Sequence, residues 1–165
     1  MLLKDFGLDD GNHFIAMEYH TLILNRTYLV IITKDFLLGL KVNDMVSVEG
    51  GHNPLTIAAT KMLAIPGDLN NPFSYVKNKY LQPLLAEEIN LDFILQKDKA
   101  NFKIYKRDII DVTYDNRKKW GMGYYPHDGK VYVKTADNKK REFIILGNQS
   151  GKAIADWILE SAWTK

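Results

Sequence analysis

The chain contains no cysteine, which excludes disulfides, thiolate metal sites, iron–sulfur clusters and cysteine nucleophiles, because each needs sulfur. Long apolar runs are missing too. The richest, such as Tyr28–Ile32 and Phe143–Leu146, fall far short of the roughly 20 residues that cross a bilayer as a helix. The opening residues Met1-Leu2-Leu3-Lys4-Asp5 bring an acid almost at once, unlike a secretory signal, so a cytoplasmic location is expected. Catalytic signatures are equally scarce. None of the four serines (Ser47, Ser74, Ser150, Ser161) lies in a Gly-x-Ser-x-Gly elbow. The four histidines, His13, His20, His52 and His127, show no HxH or HExxH spacing that would bring two ligands to one metal. Glu87-Glu88 with Asp92, and Asp108 with Asp111, read as solvated faces. No catalytic residue, metal or cofactor is expected, and an enzyme of unknown class stands only as an alternative.

What is present is the composition of one globular domain spanning 1–165, with 46% apolar and 25% charged residues. The formal net charge of +2 conceals an asymmetry: residues 97–141 hold thirteen Lys/Arg against six Asp/Glu. Such a region attracts phosphate-bearing partners or an acidic membrane surface. The balanced total does not suit a dedicated nucleic-acid binder, so no nucleic-acid partner is expected. Most of this charge is expected on a solvated sheet face.

Strand patterns dominate both ends of the chain. Thr27–Thr33 is β-branched and aromatic, and after Lys34-Asp35 the run Phe36–Val42 follows, which predicts a hairpin from the composition of its arms. Upstream, His13–Tyr19 and Thr21–Leu24 predict one or two further strands. Phe102–Tyr105 and Ile109–Tyr114 follow later, with Ile110, Val112 and Tyr114 expected on one face at period two. Asp128-Gly129 and Ala136–Lys139 read as turns bracketing Val131–Thr135, and Arg141–Leu146 completes a meander of antiparallel strands.

Helical periods occupy the middle and the end. Asn53-Pro54 and Asn71-Pro72 are start signals, and Leu55, Ala58, Ala59 and Met62, then Phe73, Val76, Tyr80 and Leu84, recur at helical spacing. They predict a helical insertion at about 53–89, its second helix kinked or ended by Pro83, docked on the sheet before a polar stretch Gln96–Asn101. At the C-terminus Asn148-Gln149-Ser150 cap a closing amphipathic helix that buries Ile154, Trp157 and Ile158. The segment Gly147–Lys152 has the look of a phosphate-binding loop, but the spacing is one residue short and Ala153 stands where Ser/Thr is needed. Capping explains it.

The strands Tyr28–Thr33 and Phe36–Leu40, the stretch Ile104–Val112 with its Asp-Ile, and Phe143–Leu146 leading into Trp157 together resemble the pleckstrin-homology-like superfold, in its bacterial and GRAM-like branches. The resemblance covers about 12–50 and 101–163. The 53–89 stretch has no counterpart in a minimal domain of that family. It implies an α+β, β-rich fold: an antiparallel bent sandwich or open barrel, with a helical insertion and a C-terminal capping helix. It also implies a scaffold for recognising phospholipid headgroups, peptides or proteins. Lipid-binding members carry a basic cluster around their first hairpin, where this chain offers only Arg26.

The strongest binding candidate is Arg117, Lys118, Lys119, Trp120, Tyr124 and Tyr125, where cations and aromatic rings meet across glycines. The expected function is a non-catalytic recognition module for a protein partner. An edge strand could pair with an extended segment or with a second copy of the chain as a homo-oligomer. The alternative is peripheral binding to an anionic phospholipid surface through the basic-aromatic segment.

Overall fold

The computed structural model describes residues 11–21, 24–44, 70–77, 79–80, 91–117 and 127–163. Seven strands form one sheet: β1 (His13–Thr21), β2 (Leu24–Ile32), β3 (Phe36–Asn43), β4 (Phe102–Tyr105), β5 (Ile109–Asp115), β6 (His127–Thr135) and β7 (Lys140–Leu146). Their order is β4-β3-β2-β1-β7-β6-β5 and every neighbouring pair is antiparallel. β4 and β5 lie at opposite edges of this sheet, yet only a 3-10 turn, Lys106–Asp108, joins them. A connection that short forces the sheet to curl into a half-barrel, and the Ala136 N–H pins the corner by donating to the Asp108 carbonyl at 2.8 Å. The protein is therefore a β-rich α+β open barrel.

Curling gives the sheet two faces, and the residues of β1 and β2 fill both. Phe14, Ala16, Tyr28 and Val30 point inward with Val131, Val133, Phe143 and Ile145. Ile15, Met17, Leu29 and Ile31 point outward. Strands buried on both faces read as continuous apolar runs, which is why Tyr28–Ile32 shows no alternation. The inner core is closed by helix α2 (Gly151–Trp163), which buries Ile154, Ala155 and Ile158. The outer core is covered by the helical insertion: Tyr75 and Val76 at the 3-10 turn Pro72–Tyr75, and Leu91 and Ile94 of helix α1 (Leu91–Lys97). Each such fully buried aliphatic side chain contributes about 1.5–3 kcal/mol. Among the described residues no helix is long and apolar enough to cross a membrane.

Several local expectations are corrected. Of the predicted strand Thr21–Leu24, Thr21 ends β1 and Leu24 opens β2, and Leu22 and Ile23 lie outside the described residues. Ile110 does not share a face with Val112: the register shifts between Ile109 and Asp111, so Ile109 takes the buried position and Ile110 is 49% exposed. Asp128-Gly129 lies inside β6, at a second register shift where Gly129 adopts φ +67 and a Cβ would collide with the Asp115 carbonyl. The Asn71-Pro72 signal opens a 3-10 turn, and α1 begins beyond 89 and takes up Gln96 and Lys97 from the stretch expected to be polar linker. Its Leu91 and Ile94, three apart, supply the burial that overrides the polar neighbours. Trp157 is half-buried, packed on the inner core beside Gly11, rather than fully buried. Most of the 53–89 stretch lies outside the described residues.

Candidate functional site

Inner-face residues change character along each strand. From the helix-closed end toward the open mouth, β1 presents Phe14, Ala16 and Glu18, β2 presents Val30, Tyr28 and Arg26, and β7 presents Ile145, Phe143 and Arg141. The apolar part is needed where α2 packs. The polar part gathers at the mouth because strand pairing sets Glu18 opposite Arg26 and the curl carries Arg141 across to Glu18.

Arg141 is the centre of this group. Its Nη1 donates to Glu18 Oε2 at 2.7 Å, and its guanidinium lies over the Phe102 ring, 3.4 Å from the centroid. Phe102 in turn stacks on Phe143 at 6.0 Å and meets Tyr28 edge-on at 5.4 Å, so the ring under the guanidinium is itself fixed. That placement needs Gly39: the Phe102 ring occupies the space that a Cβ at 39 would fill. Burial drives the Glu18 carboxyl up to about 7, against the pull of Arg141 and Arg26. Burial also raises the Tyr28 phenol, with the Glu18 carboxylate adding to it.

Two grooves meet at Arg141. One, of about 450 Å³, runs along β4 and is lined by Phe102, Lys103, Ile104 and Tyr105 on one side and by Thr135, Lys139 and Arg141 on the other. The second, of about 460 Å³, opens where β1 and β7 part, their pairing being confined to Ala16 with Ile145 and Met17 with Ile144. Among the described residues β4 pairs only with β3 in the sheet. The Lys106 N–H reaches the Asp35 carbonyl at 2.9 Å, so strand alternation turns the peptide groups of Phe102 and Ile104 toward β3 and those of Lys103 and Tyr105 toward the groove. Lys103 Nζ rests over the rings of Phe36 and Tyr105 at 4.7 and 4.8 Å.

The sequence-predicted binding segment is placed only in part. Arg117 lies just past β5, exposed, with Nε and Nη2 donating to Asp115 at 2.9 and 3.0 Å. Those bonds hold the Asp115 carboxyl well below its ordinary value, with the Lys130 ammonium at 3.0 Å assisting. Lys118, Lys119, Trp120, Tyr124 and Tyr125 lie outside the described residues. Two cations of the basic region expected on a solvated face are buried: Lys130, in that ion pair, and Lys106, 5% exposed. Among the described residues Lys106 Nζ has no hydrogen-bond partner, and burial lowers its ammonium to about 8.

The Gly147–Lys152 segment is a capped helix start. Ser150 Oγ accepts from the Ala153 N–H at 3.2 Å, the Asp128 carboxylate accepts from the Gly151 N–H at 2.7 Å, and Lys152 turns away to Asp156. A carboxylate of the chain thus already stands where an anion would bind. Among the described residues no group of His, Asp and Glu is placed to hold a metal. Comparison with protein-family models, with curated proteins and with solved structures finds no match to this chain.

Sequence reasoning missed Glu18, Tyr28, Phe102 and Arg141. A signal was present in β1, β2 and β7, each of which carries a charged residue two positions beyond a buried inner-face one. That these three charges and rings converge depends on the curl, which no single segment encodes.

Proposed function

We propose that this domain is a non-catalytic, cytoplasmic recognition module whose partner is another protein, bound as an extended segment along the open edge of β4. The observation that carries the reading is the coincidence of outward peptide groups at Lys103 and Tyr105 with a groove of about 450 Å³ on the same side. Backbone pairing supplies affinity to such an edge and the groove walls supply side-chain selection. The antiparallel meander stoppered by one terminal helix supports the pleckstrin-homology-like resemblance, and with it a recognition role rather than a catalytic one. The lipid reading through Arg117, Lys118, Lys119, Trp120, Tyr124 and Tyr125 has less behind it, since Arg117 is committed to Asp115.

The test is selection of random linear peptides against the purified domain. Recovered peptides should lose binding to Lys103→Pro, which removes an outward N–H without touching the β3–β4 ladder, and keep it with Lys103→Ala. Recovery of no peptide, or of peptides indifferent to the proline, overturns the reading.

A further inference from the structure

We infer that the β4 groove selects extended protein segments bearing a side-chain carboxylate, and that Arg141 reads this group by exchanging Glu18 for it. The inference rests on the edge-pairing reading above and adds what the edge selects.

Charge along the groove points to an acidic occupant. Lys139 and Asp137 satisfy each other at 2.6 Å, and Asp137 further accepts the Thr135 hydroxyl at 2.5 Å. Asp108 has Arg107 beside it at 3.8 Å. Lys103, by contrast, is set against aromatic rings, and Arg141 spends one nitrogen on Glu18. What faces an occupant, beside Asp108, is Lys103 and the Arg141 donors that Glu18 does not take.

Arg141 is also prepared for the exchange. A guanidinium has five N–H donors in a rigid fork suited to a carboxylate. Here its plane is held by Phe102, and it borders both grooves, so a carboxylate arriving along β4 reaches it without repacking. The group to be displaced is a reluctant anion. Glu18 is faced by Arg141 and Glu142 of β7 and by Arg26 and Tyr28 of β2, with Lys139 and Lys140 bordering its cleft, and despite these cations burial leaves its carboxyl at about 7. When Arg141 turns to the incoming carboxylate, Glu18 loses its main cation and takes one proton from solvent. It then remains as a neutral acid that donates an O–H. Binding is therefore linked to proton uptake, and it tightens as pH falls toward about 7 from above.

The experiment is titration calorimetry just above neutral pH, in two buffers of different ionisation heat. The probes are two blocked octapeptides of alternating valine and threonine, with either glutamate or glutamine at one central position. The glutamate peptide should bind about tenfold more tightly, as one charge-assisted contact provides, with a buffer-dependent heat that reports net proton uptake. Arg141→Gln should make the two peptides equal. Glu18→Gln, which keeps the shape of the site, should retain the preference and abolish the proton uptake. Equal binding of both peptides, lost in Lys103→Pro, overturns this inference while the β4 reading stands; binding of neither overturns both. A glutamate preference that survives Arg141→Gln, or Arg141-dependent binding seen only with phosphatidylserine vesicles, also overturns it.

Discussion

The two ends of the barrel solve opposite problems with the same strands. At the closed end α2 buries Ile154, Ala155 and Ile158 against the inner face, and the Gly151 and Ala153 amides at its start are taken by Asp128 and Ser150. At the mouth the same strands deliver Glu18, Arg26 and Arg141, held by one ion pair and a stack of rings and bordered by two grooves. The closed end has shape without chemistry, and the mouth has chemistry that its own groups satisfy only in part. Apolar packing and polar chemistry are thereby separated along single strands, and each can change without the other.

The separation can be broken by substitution. The largest effect is expected at the closed end: Ile158→Ala removes a side chain with no exposure and should cost about 2–5 kcal/mol in urea unfolding. Tyr105→Ala on the groove wall, 40% exposed, should cost no more than about 0.5 kcal/mol. Equal losses would end the distinction.

Next in size is Lys106, the charge that fits neither end. Its ammonium is disfavoured in the fold, so the folded state binds its proton less well than the unfolded chain does. Stability should therefore rise with pH from about 8 to the ordinary lysine value of 10.5, and stay penalised below. Lys106→Met should add about 1–3 kcal/mol at neutral pH and remove that rise in pH-dependent denaturation. A smaller loss is expected for Asp128→Ala, which strips a partner from the Gly151 N–H and from the Tyr114 hydroxyl; about 1 kcal/mol of thermal stability should go with it.

How much of this was legible in the sequence depends on distance along the chain. The hairpin of β2 and β3 was readable because composition alone marks its arms, and α2 because capping and helical spacing agree within a dozen residues. The register shifts at Ile109 and at Asp128-Gly129 were not. Ile109-Ile110 gives no hint which isoleucine turns inward, and Asp128-Gly129 looks like a turn until the approach of Asp115 shows why glycine is needed inside a strand. The basic-aromatic stretch around Arg117 drew attention because its residues are adjacent. Glu18 and Arg141 were passed over because they meet only after β7 pairs with β1, a juxtaposition of residues 123 apart.

Gln149 shows a further consequence of that joint. The backbone leaves the sheet after Leu146, where β7 must give way to the turn into α2, yet Ile15 of β1 still has an amide and a carbonyl to satisfy. The Gln149 side chain meets both, its Oε1 accepting from the Ile15 N–H at 2.8 Å and its Nε2 donating to the Ile15 carbonyl at 2.7 Å and to that of Leu146 at 2.6 Å. A carboxamide has the donor and acceptor of a peptide unit, so it acts as a surrogate rung while the main chain changes direction. Glutamate would lack the donor, methionine would lack both groups, and asparagine would fall a methylene short. Of the three residues leading into the helix, Ser150 answers to the helix and Gln149 to the sheet, and the ladder runs one step further than the strand that began it.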